Sequence, residues 1–159
     1  MIIKDILDTD TVNYKKTSMF IASPCCSFKC DKLNGCQVCQ NSLLANEPDI
    51  EIDNDILCQR YLSNSLTEAV VCGGLEPFDS FDDLIEFIWT LRLVYECEDD
   101  VVIYTGYDDY EIADKIDTLS RIPNIIVKFG RYIKDQQPHY DEVLGVNLAS
   151  DNQYAKHIS

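Results

Sequence analysis

Apolar and polar positions along the chain follow two alternating rhythms. Short apolar, β-branched runs occur at 17–23 (TSMFIAS), 68–74 (EAVVCGG), 100–107 (DVVIYTGY) and 124–130 (NIIVKFG), and they read as strands of the buried type. Longer stretches with helical spacing lie between them. In residues 53–65, Ile56, Leu57, Tyr61 and Leu62 recur at helical spacing. Residues 80–97 carry the clearest stripe, Leu84, Phe87, Ile88, Leu91 and Val94, with Ser80 positioned to cap and Asp82 and Asp83 in the first turn. Residues 108–121 predict a further helix and 142–149 a last strand. There is no internal repeat, low-complexity tract or Gly/Ser linker.

Strand alternating with helix predicts βαβ units on a mainly parallel sheet, an α/β fold. The 159 residues suit a single domain, 1–159. About five strands are too few for a closed eight-stranded barrel, so the expected architecture is an open or partial (β/α) barrel. Such sheets place their chemistry at the C-terminal ends of the strands. A cysteine cluster follows the first strand, GGLEP the second, and TGY ends the third.

The net charge of −15 excludes a phosphate-tracking nucleic-acid binder and reads as a well-solvated surface. No apolar run approaches the roughly 20 residues of a membrane span. The start, MIIKDILDTDTVNY, lacks the pattern of a secretory signal. The expectation is a cytoplasmic protein without a membrane partner. In that reducing compartment, clustered thiols serve metals or redox chemistry more often than disulfides.

Five of eight cysteines, Cys25, Cys26, Cys30, Cys36 and Cys39, fall within PCCSFKCDKLNGCQVCQN at 24–41. Thiolates bind zinc, Cu(I) or iron–sulfur clusters. Cys26, Cys30, Cys36 and Cys39 make four plausible ligands for structural zinc, and a zinc-binding interaction module is one reading of the spacing. Ferredoxin-type ligation by four thiolates does not match the spacing. Cys58, Cys72 and Cys97 lie in predicted elements and read as small core side chains. Cys25, beside Cys26, reads as a bystander.

The ordered set of segments resembles a family, the radical S-adenosylmethionine (SAM) activating proteins of anaerobic ribonucleoside-triphosphate reductase. DTVNYKKTSMFIAS is similar to that family's lead into its first strand. CSFKC resembles the first two cysteines of a Cys-x3-Cys-x2-Cys motif, and CQN at 39–41 the third with its following Asn. VVCGGLEPF at 70–78, VVIYTGY, VKFGRYI at 127–133 and LASDNQ at 148–153 resemble later family segments, in order, over nearly the whole chain. Two departures stand out. Eight residues rather than two separate Cys30 from Cys39, so DKLNGCQV looks inserted, and Leu75 is inserted between Gly74 and Glu76.

The resemblance implies a 4Fe-4S cluster held by Cys26, Cys30 and Cys39, with Cys30, Cys36 and Cys39 as the alternative set. It implies that SAM chelates the iron left free and is cleaved by one electron to methionine and a 5′-deoxyadenosyl radical. Gly73 and Gly74 would let the backbone approach the methionyl group, Glu76 would accept from its ammonium, and Tyr104 and Thr105 would line the pocket. Asn152 and Gln153 match the closing segment without an assigned role. The implied function is oxidoreductase activation of the anaerobic ribonucleotide reductase large subunit by glycyl radical formation, with a flavodoxin or ferredoxin as electron donor. A radical SAM fold with another target, or without catalysis, is the remaining reading. His139 and His157 read as surface residues, and the acidic pairs as solvated caps and turns.

Overall fold

The computed structural model describes residues 1–159. In chain order the elements are β1 (Ile2–Ile3), β2 (Asp5–Asp10), β3 (Ser18–Ala22), α1 (Lys29–Asn34), β4 (Ile50–Glu51), α2 (Asn54–Leu62) and β5 (Ala69–Gly73). They continue as α3 (Phe81–Trp89), β6 (Asp100–Tyr104), α4 (Ala113–Leu119), β7 (Ile125–Phe129), β8 (His139–Asp141), β9 (Val146–Leu148) and β10 (Tyr154–His157). Six strands form one sheet in the order β10-β7-β6-β5-β3-β2. Its four central strands are parallel, and both edge strands run antiparallel. The fold is mixed α/β with a mainly parallel sheet.

The central strands bury both faces, so their sequences are almost continuously apolar: every residue of β5 and β7 is buried. Alternation then sorts side chains into two layers. Met19, Ile21, Val70, Cys72, Val101, Ile103, Ile125 and Val127 meet α2, α3 and α4 through Leu57, Tyr61, Leu84, Phe87, Ile88 and Leu119. Ala69, Val71, Val102 and Ile126 meet Tyr14, Leu144 and Leu148 on the opposite face, under the β8–β9 hairpin. Helices therefore cover one face, and a hairpin with the 10–16 segment covers the other. Cys58, Cys72 and Cys97 are buried as expected.

Some expectations need correction. Helix 80–97 ends as a regular α-helix at Trp89 and continues as one π-helical turn, Thr90–Val94. The wider turn rotates this last segment about the helix axis: Arg92 is buried, while Leu93 and Val94 are 75% and 64% exposed. Ser80 does not cap the helix, because a 3-10 turn at Pro77–Ser80 runs straight into it and the Ser80 hydroxyl donates to Pro77 O. The strand expected at 142–149 is only Val146–Leu148, the second arm of a hairpin outside the main sheet. Asp141 Oδ1 accepts from Leu144 N–H and Gly145 adopts φ +73, which turns the chain there. The two edge strands, β2 (DILDTD) and β10 (YAKH), carry the polar residues of edges and had no apolar pattern to reveal them.

Candidate functional site

The cysteine loop leaves β3 at the C-terminal edge of the sheet, and backbone bonds fix its course. Cys25 O accepts from Glu76 N–H (2.9 Å), and Ser27 N–H donates to Asp79 Oδ2 (2.8 Å). Phe28 takes a left-handed conformation, φ +50, and starts α1, which carries Cys30. Gly35, φ +65, ends that helix. Asp31 Oδ1 then accepts from both Val38 N–H (2.8 Å) and Cys39 N–H (2.9 Å), folding the expected insertion back so that Cys39 returns toward Cys30. Asn41 closes the loop by donating to Gly74 O (2.6 Å). Asn34 ties the same loop to the far side, donating to Cys30 O and Tyr132 O and accepting from Lys134 N–H.

The five loop thiols separate by environment. Cys26, Cys30 and Cys39 are half-buried, and Cys25 and Cys36 are exposed. A backbone N–H points at one of the half-buried sulfurs: Phe28 N lies 3.3 Å from Cys26 Sγ. Burial pushes the Cys26 thiol up to about 12, with Glu76, Asp79 and Cys30 adding to the rise while the Phe28 N–H opposes it. Burial, Asp31 and Cys30 likewise raise Cys39.

The ends of β5, β6 and β7 meet this loop. Glu76 is 6% exposed. Its Oε1 accepts from the Thr105 hydroxyl (2.7 Å) and Phe78 N–H (3.2 Å), and its Oε2 from Gly106 N–H (2.9 Å). Burial raises its pKa and these three donors draw it back. Gly106 faces Cys30: a Cβ there would lie 3.5 Å from Cys30 Sγ, 3.6 Å from Glu76 Oε2 and 3.5 Å from Arg131 Cγ. Lys128 is 6% exposed, donates to Gly130 O (2.8 Å), and is driven down to about 8 by burial, against the pull of Cys30 and Glu76. Gly130, φ +92, turns the chain beneath Asn152, whose carbonyl would lie 3.0 Å from an added Cβ. Asn152 Nδ2 donates to Arg131 O and Gln153 Nε2 to Gly130 O, so the closing segment buttresses the turn that presents Arg131.

Each residue expected in a SAM pocket has a partner within the protein. Thr105 and Glu76 bond to each other, and Glu76 has both oxygens engaged. Gly73 packs against Phe20 and Tyr104, whose Cβ would be 3.2 Å from a Cβ at Gly73. Gly74, φ +75, makes the turn itself against Leu44 and Ala22. Tyr104 lies on the hairpin face and its hydroxyl donates to Asn13 O, while Thr105 faces Glu76. The extra Leu75 is buried.

Two residues of this edge lie in the quoted segments but have no role assigned there. Tyr107 donates to Asp79 Oδ1 (2.6 Å), and two cations lie over its ring, Lys29 Nζ 4.2 Å and Arg131 Cζ 5.4 Å from its centre. Arg131 also holds Glu111 through both carboxylate oxygens, at 2.7 and 2.8 Å. Tyr107 follows the TGY glycine and Arg131 the VKFG glycine, which is the one sequence signal that marked them.

No group of three or more His, Cys, Asp or Glu side chains is gathered closely enough to hold one metal ion. The four sulfurs of Cys26, Cys30, Cys36 and Cys39 are therefore not assembled as a tetrahedral zinc site requires. A cubane makes a different demand, because each thiolate takes a separate iron and the ligands ring a larger body. Three half-buried thiols on one loop, the Phe28 N–H aimed at Cys26 Sγ, a side-chain-free Gly106 beside Cys30 and the cations Lys128 and Arg131 at the end of the neighbouring β7 fit an anionic cluster. No helix is long and apolar enough to cross a membrane. In comparisons with protein-family models, curated proteins and solved structures, nothing matches the chain.

Proposed function

We propose that the protein is a radical SAM iron–sulfur enzyme, an activase that forms a glycyl radical on the large subunit of an anaerobic ribonucleotide reductase. The observation that carries this reading is the meeting of distant segments at one place: Cys30 Sγ, Glu76 Oε2 and Arg131 Cγ all converge on Gly106. Those residues come from CSFKC, GGLEP, TGY and VKFGR, the segments whose order carries the resemblance.

Cys26, Cys30 and Cys39 would hold the cluster, leaving one iron without a protein ligand. When bound, the cluster supplies the single electron that splits SAM to methionine and a 5′-deoxyadenosyl radical. The protein's own residues position and shield. Asp31 and Asn41 hold the third cysteine toward the strand ends, and Glu76 welds the end of β5 to that of β6. Helices on one sheet face, with a hairpin on the other, support a partial barrel as the finer architecture. Leu33 and Leu43, 59% and 76% exposed on the loop, offer an apolar rim where a protein substrate can rest. A flavodoxin or ferredoxin in the cytoplasm would supply the electron.

Reconstituted, reduced protein incubated with SAM is expected to release 5′-deoxyadenosine and methionine in equal amounts, measured by chromatography. The filled surroundings of Gly73 and the fully engaged Glu76 favour a second reading, the same cluster without SAM cleavage or with a different target. A cluster-loaded protein that releases no 5′-deoxyadenosine selects that second reading.

A further inference from the structure

Two opposite charges are buried at the cluster edge without touching. Lys128 and Glu76 are each 6% exposed, yet no carboxylate lies within ion-pair reach of Lys128. The Lys128 ammonium donates to Gly130 O at 2.8 Å and, through a longer contact of 3.5 Å, to Thr105 O. The same Thr105–Gly106 peptide turns its N–H to Glu76 Oε2 at 2.9 Å. One peptide group thus links the cation to the anion, each end polarising the other. Cys30 Sγ lies against that peptide, 3.5 Å from where a Gly106 Cβ would stand. In a water-poor site, charges this near a metal-bound sulfur act with little screening.

We infer that the Lys128–Glu76 pair, linked through the Thr105–Gly106 peptide, sets the reduction potential of the iron–sulfur group at Cys30. The inference rests on the cluster reading above. A fixed positive charge favours the more negative, one-electron-reduced form, and a fixed negative charge opposes it; net charge and hydrogen bonding around the sulfurs are the levers by which proteins tune such potentials. Lys128 and Glu76 are positioning residues here, acting through the peptide and not by ligation.

The test is an EPR-monitored redox titration, one electron per cluster from dithionite-poised mediators, on the wild type, Lys128→Met, Lys128→Arg and Glu76→Gln at one pH and without SAM. Lys128→Met is expected to shift the reduction equilibrium at least tenfold toward the oxidised form, about 59 mV more negative for one electron. Glu76→Gln shifts it in the opposite direction, and Lys128→Arg restores the wild-type value. A purely structural role lowers iron content or melting temperature in both variants without shifts of opposite sign. Equal potentials in the wild type and Lys128→Met overturn the inference. If Lys128→Met does not fold, Glu76→Gln decides, and an unchanged or lowered potential in that variant overturns it. A wild type that binds no cluster overturns the cluster reading instead, and the inference with it.

Discussion

Replacing Cys30 by alanine is expected to abolish the iron–sulfur cluster, taking iron from about four per chain to background. Cys30 lies between the other two in the chain, and its sulfur is the one against Gly106, 3.5 Å from where a Cβ there would stand. Cys26→Ala and Cys39→Ala have the same result, each removing a half-buried sulfur of the same loop. Cys25→Ala and Cys36→Ala keep the cluster, because both side chains are exposed. Iron analysis and the visible spectrum of the five anaerobically purified variants check this. Loss of iron in Cys36→Ala with retention in Cys26→Ala moves the ligand set to Cys30, Cys36 and Cys39.

Phe87→Ala is expected to cost about 3–5 kcal/mol, the usual range for deleting a buried aromatic side chain from a core. Phe87 is fully buried on α3, within the core shared with β3, β5, β6 and β7. At this chain length that loss lowers the melting temperature by about 10 °C. Val94→Ala, on the same apparent stripe, changes stability by no more than about 0.5 kcal/mol. The difference comes from the π-helical turn, which carries Val94 out to solvent. Equal losses at the two positions refute the rotated turn, and thermal unfolding by circular dichroism distinguishes the outcomes.

These cases mark where the sequence could be read. The four parallel strands were legible because burial on both faces leaves an uninterrupted apolar run, as in IIVKF. The edge strands were not, because an edge has one side in solvent and is guarded by charge, so Asp5–Asp10 looks like a polar leader. The apolar stripe of helix 80–97 held through Leu91 and failed at Val94, since strict 3.6-residue spacing cannot anticipate an added residue in one turn. At the candidate site, the cysteines and Glu76 announced themselves by type and spacing. Asp31, Asn34 and Asp79 did not, because their roles are hydrogen bonds set by how the loop folds back. Lys128 looked like the single polar residue in a strand. Only the convergence of β6 and β7 shows that its ammonium ends beside the Thr105 carbonyl.

The most direct test of the proposed cluster is the metal content of anaerobically purified wild-type protein, together with its EPR spectrum after reduction. About four irons per chain, no zinc, and a reduced-cluster signal that changes when SAM is added are the expected result. One zinc per chain with no iron and no signal refutes it.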